Sequence, residues 1–244
     1  MLRHRGKGRT YTHNLRLASL LSTVAGMVNI CGVLALGTLT TNVTGHFAFF
    51  AENLFLHDFN TALTFMAYIV FFLLGALVSG ILTESAEKFH TAYIMPLVLE
   101  MMLLGMAATF GDTWAESGNA VATGLSCGLL FAMGLQNALV TRVSQSVVRT
   151  THLTGIFTDL GIELAQRILY QKDTDRKRIH RSIFLKLMIV LGFFLGGIFC
   201  GYLYLHVQLK ALFLPVGVLL VTVGYDQLLF RFYRIKRKFR MKAK

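Results

Sequence analysis

Thr40-Thr41-Asn42-Val43-Thr44-Gly45 recurs 110 positions later as Thr150-Thr151-His152-Leu153-Thr154-Gly155. The flanks repeat as well: Gly26-Met27-Val28-Asn29 precedes the first copy and Gly134-Leu135-Gln136-Asn137 the second. Each hexamer is followed by an apolar run with a small-residue pair, Ala76 and Gly80 in one half, Gly197 and Gly201 in the other. The only two prolines, Pro96 and Pro215, fall in the next hydrophobic segment of each half. The chain therefore reads as two related halves.

Composition places those halves in lipid. With 55% hydrophobic and 15% charged residues over 244 positions, the polar groups are too few to cover a soluble domain. The formal net charge of +12 does not argue for nucleic acid, because Lys and Arg sit between hydrophobic segments rather than across a folded surface. Runs of about 20 apolar residues, enough to cross about 30 Å of hydrocarbon, predict six spans: Leu17 to Gly37, Thr61 to Leu82, Tyr93 to Phe110, Ala120 to Val140, Ile183 to Leu205 and Leu212 to Leu229. Two further stretches, 43–57 and 153–169, start at the hexamers and are too short or too polar for ordinary spans. The expected fold is all-α and integral to the membrane, six transmembrane helices plus two short re-entrant or broken ones. Its divisions are a basic N-terminus (1–16), repeat 1 (17–110), repeat 2 (120–229) and a basic tail (230–244).

Charge predicts orientation. With the two short stretches entering and leaving on one side, both termini are cytoplasmic and only Lys210 of the 24 basic residues falls outside. Lys88, Arg142, Arg149, Arg167 and the 172–186 cluster lie inside, and the acidic loop bearing Asp112 and Glu116 lies outside. Eight full spans would move Lys88, Arg142 and Arg149 outside and the acidic loop in, so six is preferred. Three spans per half is an odd number, so the second half is inverted relative to the first, an arrangement typical of transporters. Asp226, near Arg231 in sequence, reads as half of an interfacial ion pair. The tail from Arg231 suits anionic lipid on the cytoplasmic face.

The hexamers suit a central site. Thr is a good N-cap, Gly admits another backbone or a ligand, and helix N-termini offer N–H groups and partial positive charge. The candidate substrate-binding set is Thr40, Thr41, Asn42, Thr44, Gly45, Thr150, Thr151, His152, Thr154 and Gly155, braced by Asn29 and Asn137. Thr and Gly also serve simply to pack membrane helices, and the small-residue pairs are read that way. Glu100, about 10 Å into the third span, and His46 are the candidates for proton or ion coupling.

The pattern of Gly-x-x-Asn before a Thr-Gly element, repeated as Gly-x-Gln-Asn before Thr-Thr-x-x-Thr-Gly, resembles the YoaK-like family of bacterial multi-pass membrane proteins, over about residues 15 to 230. The resemblance implies a bacterial membrane protein of this fold and brings no substrate with it. This chain has Asn29 where the family usually carries Asp, and His46 and Ile156 where it usually carries Asn after Thr-Gly.

Phosphate loops, zinc-protease motifs and nucleophile elbows are all missing from the sequence, and no extramembrane stretch is long enough for an ATPase. Cys31, Cys127 and Cys200 lie inside spans without metal-ligand spacing. The sequence thus points to a non-enzymatic small secondary transporter or permease in the bacterial inner membrane, without cofactor, metal or nucleic-acid partner. Its expected partners are the lipid bilayer and a small solute or ion. A passive channel, a scaffold or an intramembrane enzyme, and self-association into a homo-oligomer, stay open.

Overall fold

The computed structural model of the chain describes residues 10–85, 93–169 and 173–225, without the side chains of 173 and 174. Lys88, Lys172, the 226–244 tail with its Asp226–Arg231 pair, and the first nine residues lie outside the described set.

The protein is all-α. Its helices are α1 (Tyr11–Leu36), α2 (Val43–Phe55), α3 (Phe59–Ser85), α4 (Ile94–Glu116), α5 (Asn119–Ser144), α6 (Leu153–Leu169), α7 (Asp173–Val207) and α8 (213–225). Among the described residues five helical segments are long and apolar enough to cross a membrane: α1, α3, α4, α5 and the 51 residues of 175–225. A 3-10 turn at Gln208–Leu212 divides the last. There the Cys200 thiol lies 3.7 Å from the Ala211 carbonyl, where an unbroken helix would hold them about 16 Å apart. The chain therefore reverses, and α8 starts back along α7.

The outer faces are apolar. Leu63, Leu73, Leu77 and Ile81 of α3 and Phe194, Ile198 and Phe199 of α7 are exposed, as a hydrocarbon solvent requires.

Two closely packed pairs organise the interior, α1 with α7 and α3 with α5, each joining one half of the chain to the other. In the first pair Arg181 stands over the Tyr11 ring, Gly192 abuts Ser22, Gly196 abuts Thr23, Gly26 abuts Phe193 and Gly201 abuts Ile30. Numbers rise together, so α1 and α7 run parallel. In the second pair Tyr68 packs with Cys127 and Leu130, Phe72 meets Gly134, Phe131 meets Gly75, and Glu84 pairs with Arg142. These helices are parallel too. The close approaches correspond: Gly26 sits on the Phe193 carbonyl as Gly134 sits on that of Phe72, and Gly196 on the Thr23 carbonyl as Gly75 on that of Phe131. The tight contacts thus fall one residue before the expected Ala76 and Gly197. Gly80 has open space around it.

The short helices form antiparallel hairpins with their successors. His46 of α2 meets Tyr68 of α3 edge to face and Phe49 packs against Phe65, while Asp159 and Glu163 of α6 reach Lys186 of α7. α4 and α5 are joined through Ser117 and Gly118, whose φ of +124° only glycine adopts readily. The expected acidic loop is therefore helical: Asp112 and Glu116 extend the third span to Glu116, because Asp112 accepts the Leu209 N–H at 2.9 Å and ties α4 to the turn after α7.

Candidate functional site

After α1 ends at Gly37, in left-handed conformation, residues 37–42 double back along it. Asn29 draws them there: its Oδ1 accepts the Thr41 N–H at 3.3 Å and the Thr41 hydroxyl at 3.0 Å. Thr40 packs onto Gly32, where any Cβ would collide with it. Asn29 lies seven residues before Leu36, so the hexamer begins about 10 Å below the end of α1.

The N-cap of α2 is Asn42, not a threonine, since its Oδ1 accepts the Gly45 N–H at 3.0 Å. Gly45 is needed by that cap: a Cβ would lie 2.9 Å from Asn42 Nδ2. His152, preceding α6, likewise folds its ring over Gly155, and its carbonyl accepts the Ile156 N–H at 3.1 Å. Both glycines make room for their own cap residue rather than for a second backbone. His46 is buried; its Nε2 donates to the Leu39 carbonyl at 2.7 Å, so the ring clamps the loop that carries Thr40.

Within each hexamer the threonines separate. Thr40 and Thr150 are fully buried, whereas Thr44 and Thr154 are exposed on the first turns of α2 and α6. Among the described residues no hydrogen bond joins the two hexamers, α2 being carried by α3 and α6 by α7. Asn29 and Asn137 hold matching places in two clefts. One, of about 290 Å³ between α1 and α7, is lined by Asn29, Gly197 and Gly201; the other, of about 440 Å³ between α3 and α5, by Asn137, Ala76 and Gly80.

Glu100 lies on the inner face of α4, completely buried, with neither carboxyl oxygen partnered. Other buried polar atoms share that condition: the hydroxyls of Thr40, Thr150 and Ser79, Nδ1 of His46 and Oε1 of Gln136. The orphaned hydroxyls of Thr40 and Thr150 occupy the same position in the two hexamers. Gln136 donates through Nε2 to the Leu21 carbonyl of α1 at 2.6 Å, which leaves its oxygen free. Gly111 meets Leu125 across the α4–α5 hairpin; eleven residues further along each antiparallel helix, Glu100 comes level with Gln136. Gln136 and Ser79 were missed by sequence reading. The signal was present for Gln136, a side chain with both donor and acceptor in an apolar run that also flanks a repeated motif.

The acids of α6 are engaged differently. Glu163 accepts from Ser182 at 2.6 Å and from Lys186, and Asp159 lies 3.5 Å from Lys186, so this pairing holds α6 to α7. Among the described residues no three His, Cys, Asp or Glu side chains gather as a metal site.

Residues 17–225 match the family model described as "Protein of unknown function (DUF1275)". The chain belongs to this family. The match takes in every apolar helix of the described structure. The chain is also similar to the UPF0700 transmembrane protein YoaK of Bacillus subtilis (strain 168), 23% identical over 185 residues, covering 75% of this chain and 80% of that one. No solved structure matches the chain. Membership makes this a bacterial multi-pass membrane protein.

Proposed function

We propose that this DUF1275 protein is a small secondary transporter or permease of the bacterial inner membrane, built from two inverted-topology repeats, with both termini cytoplasmic and α2 and α6 as broken, non-crossing elements. Directions support the topology. α1, α4 and α7 run one way and α3 and α5 the other, so α1, α3 and α4 alternate without a crossing by α2. α5, α7 and α8 alternate from the opposite start. Each hairpin of a short and a long helix aims its hexamer from its own membrane face towards the middle, as discontinuous helices do in transporters. Orientation follows the charges: Arg142, Arg149, Arg167 and Arg176 to Arg181 share the end at which α1 and α7 begin, opposite Asp112, Glu116 and Lys210.

The observation that carries transport is Glu100. A carboxyl at this depth costs several kcal/mol if charged, and a purely structural acid would have found a hydrogen-bond partner. Neither of its oxygens has one. In the proposed mechanism Glu100 takes a proton when the site is exposed to one side and releases it on the other, with the Gln136 oxygen level with it. The Thr40 and Thr150 hydroxyls, ahead of the N-termini of α2 and α6, bind the solute.

The test begins with thermal-shift screening of purified protein against a broad metabolite panel, since a ligand of the folded state raises apparent stability. Hits then go into proteoliposomes with an imposed pH gradient. Saturable, gradient-driven uptake that Glu100→Gln uncouples from pH is expected, with Thr40→Val and Thr150→Val weakening binding. Linear, gradient-independent flux would identify a channel instead, and unchanged pH dependence in Glu100→Gln would refute the assignment of Glu100.

A further inference from the structure

Where α6 and α7 meet at the end carrying the Arg and Lys excess, five basic side chains line an open cleft of about 440 Å³: Arg167, Arg176, Lys177, His180 and Arg181. All five are exposed. Among the described residues no ion pair joins any of the five to a carboxylate: Asp159 and Glu163 are held by Lys186, and Asp175, next to Arg176 in the chain, is exposed. Arg167 donates to His180 Nδ1 at 3.4 Å across the two helices, and Arg181 also covers the Tyr11 ring of α1. Arg167, Arg176, Lys177 and Arg181 thus put four cations around one cleft, and an anion between them would lower their mutual repulsion.

The depth of the cleft limits what that anion is. From Leu187 to Leu205, α7 carries no acidic or basic residue. Arg181 lies six residues before Leu187, about 9 Å outside the apolar run, which is headgroup depth. Along the face of α7 that carries His180, the exposed residues continue as Phe184, Leu187, Leu191, Phe194 and Ile198, at the i, i+4, i+7 spacing of one helix stripe. A basic cleft at headgroup level thus opens directly onto an apolar track running through the hydrocarbon. We infer that the α6–α7 cleft is a binding site for the phosphate of an anionic phospholipid, whose acyl chain lies along this stripe of α7.

Phosphate is the shared chemistry of a lipid headgroup and a free inorganic ion, so the experiment separates them. Full-length protein in mild detergent is mixed with phosphatidylglycerol, with phosphatidylcholine of the same acyl chains, or with millimolar inorganic phosphate. Lipid retention is read by native mass spectrometry and stability by thermal unfolding. Phosphatidylglycerol should be retained in preference to phosphatidylcholine, and high salt should weaken that preference. Each basic residue neutralised, in Arg176→Gln and Lys177→Gln, should reduce the preference about fivefold. Arg149→Gln, a charge removed elsewhere, should leave it intact. Equal retention of both lipids, or a preference insensitive to both salt and the cleft variants, overturns the site. Stabilisation by inorganic phosphate equal to that by phosphatidylglycerol overturns its assignment to lipid. If the Gln variants fail to fold, Lys177→Arg together with the salt titration of the wild-type protein decides.

Discussion

Gly26→Ala is expected to wedge α1 away from α7. A Cβ built at Gly26 lies 2.8 Å from the Phe193 carbonyl carbon and 3.0 Å from its Cα, and closer still to the oxygen. Ordinary carbon contacts need about 3.5–4.0 Å, so the helices must separate by about 1 Å. Both colliding groups are backbone, and no rotamer change relieves them. The cost of such overpacking is about 1–3 kcal/mol. Gly134→Ala should cost a similar amount, since its Cβ would sit 3.0 Å from the Ala76 nitrogen and 3.1 Å from the Phe72 carbonyl carbon. Gly105→Ala and Gly80→Ala are the controls, with nothing within 4 Å of the added carbon. Thermal unfolding of purified protein, with size-exclusion profiles to follow monodispersity, measures all four. If Gly26→Ala or Gly134→Ala melts with the controls, the crossed pairing of the halves through these glycines is wrong.

Glu100→Leu should raise stability by about 1–3 kcal/mol, the usual cost of an unsatisfied buried polar group, while abolishing pH-coupled flux; a loss of stability would mean that the carboxyl has a partner. Asn42→Ala should cost about 1 kcal/mol for the lost cap. Gly45→Ala alone should be worse tolerated than in the Asn42→Ala background, because the side chain it displaces is then gone; strict additivity in the double variant would refute the mutual dependence. Cysteines introduced at Glu116 and Asp173 of an otherwise Cys-free protein should react with impermeant maleimide from opposite sides of the membrane. Labelling from one side would favour eight crossings. Oxidation of the wild-type protein by diamide should block Cys31 and Cys200, whose sulfurs lie 3.5 Å apart across α1 and α7, leaving Cys127 as the one thiol still titratable after denaturation.

Much of the architecture is legible in the chain because a bilayer makes local rules strict. Every backbone group in hydrocarbon must be paired within its own helix, so a run of about 20 apolar residues has one outcome, and α1, α3, α4 and α5 fall where hydropathy puts them. α2 and α6 are legible for the complementary reason: 13 and 17 residues give only about 20 and 25 Å of helix, starting at a repeated hexamer. Gly26 and Gly134, at matching places before the two hexamers, make corresponding close contacts, while Gly75 and Gly196 make theirs one residue away from the small-residue pairs expected to pack.

What tertiary structure decided depends on which faces meet. Hydropathy cannot say that α1 pairs with α7 rather than with α3, since lipid and helix are equally apolar; close backbone contact at Gly26 and Gly196 settles it. The threonines of a hexamer are alike in sequence, yet the backward turn held by Asn29 buries Thr40 while the first turn of α2 exposes Thr44. Gln136 and Glu100 are 36 positions apart and acquire a common level only when the α4–α5 hairpin closes at Gly118. The sequence by itself determined the solvent, the helices and the repetition, because each follows from spacing along one chain. Which polar groups were left buried without partners was decided by packing, because satisfaction of a hydrogen bond is a property of the neighbours.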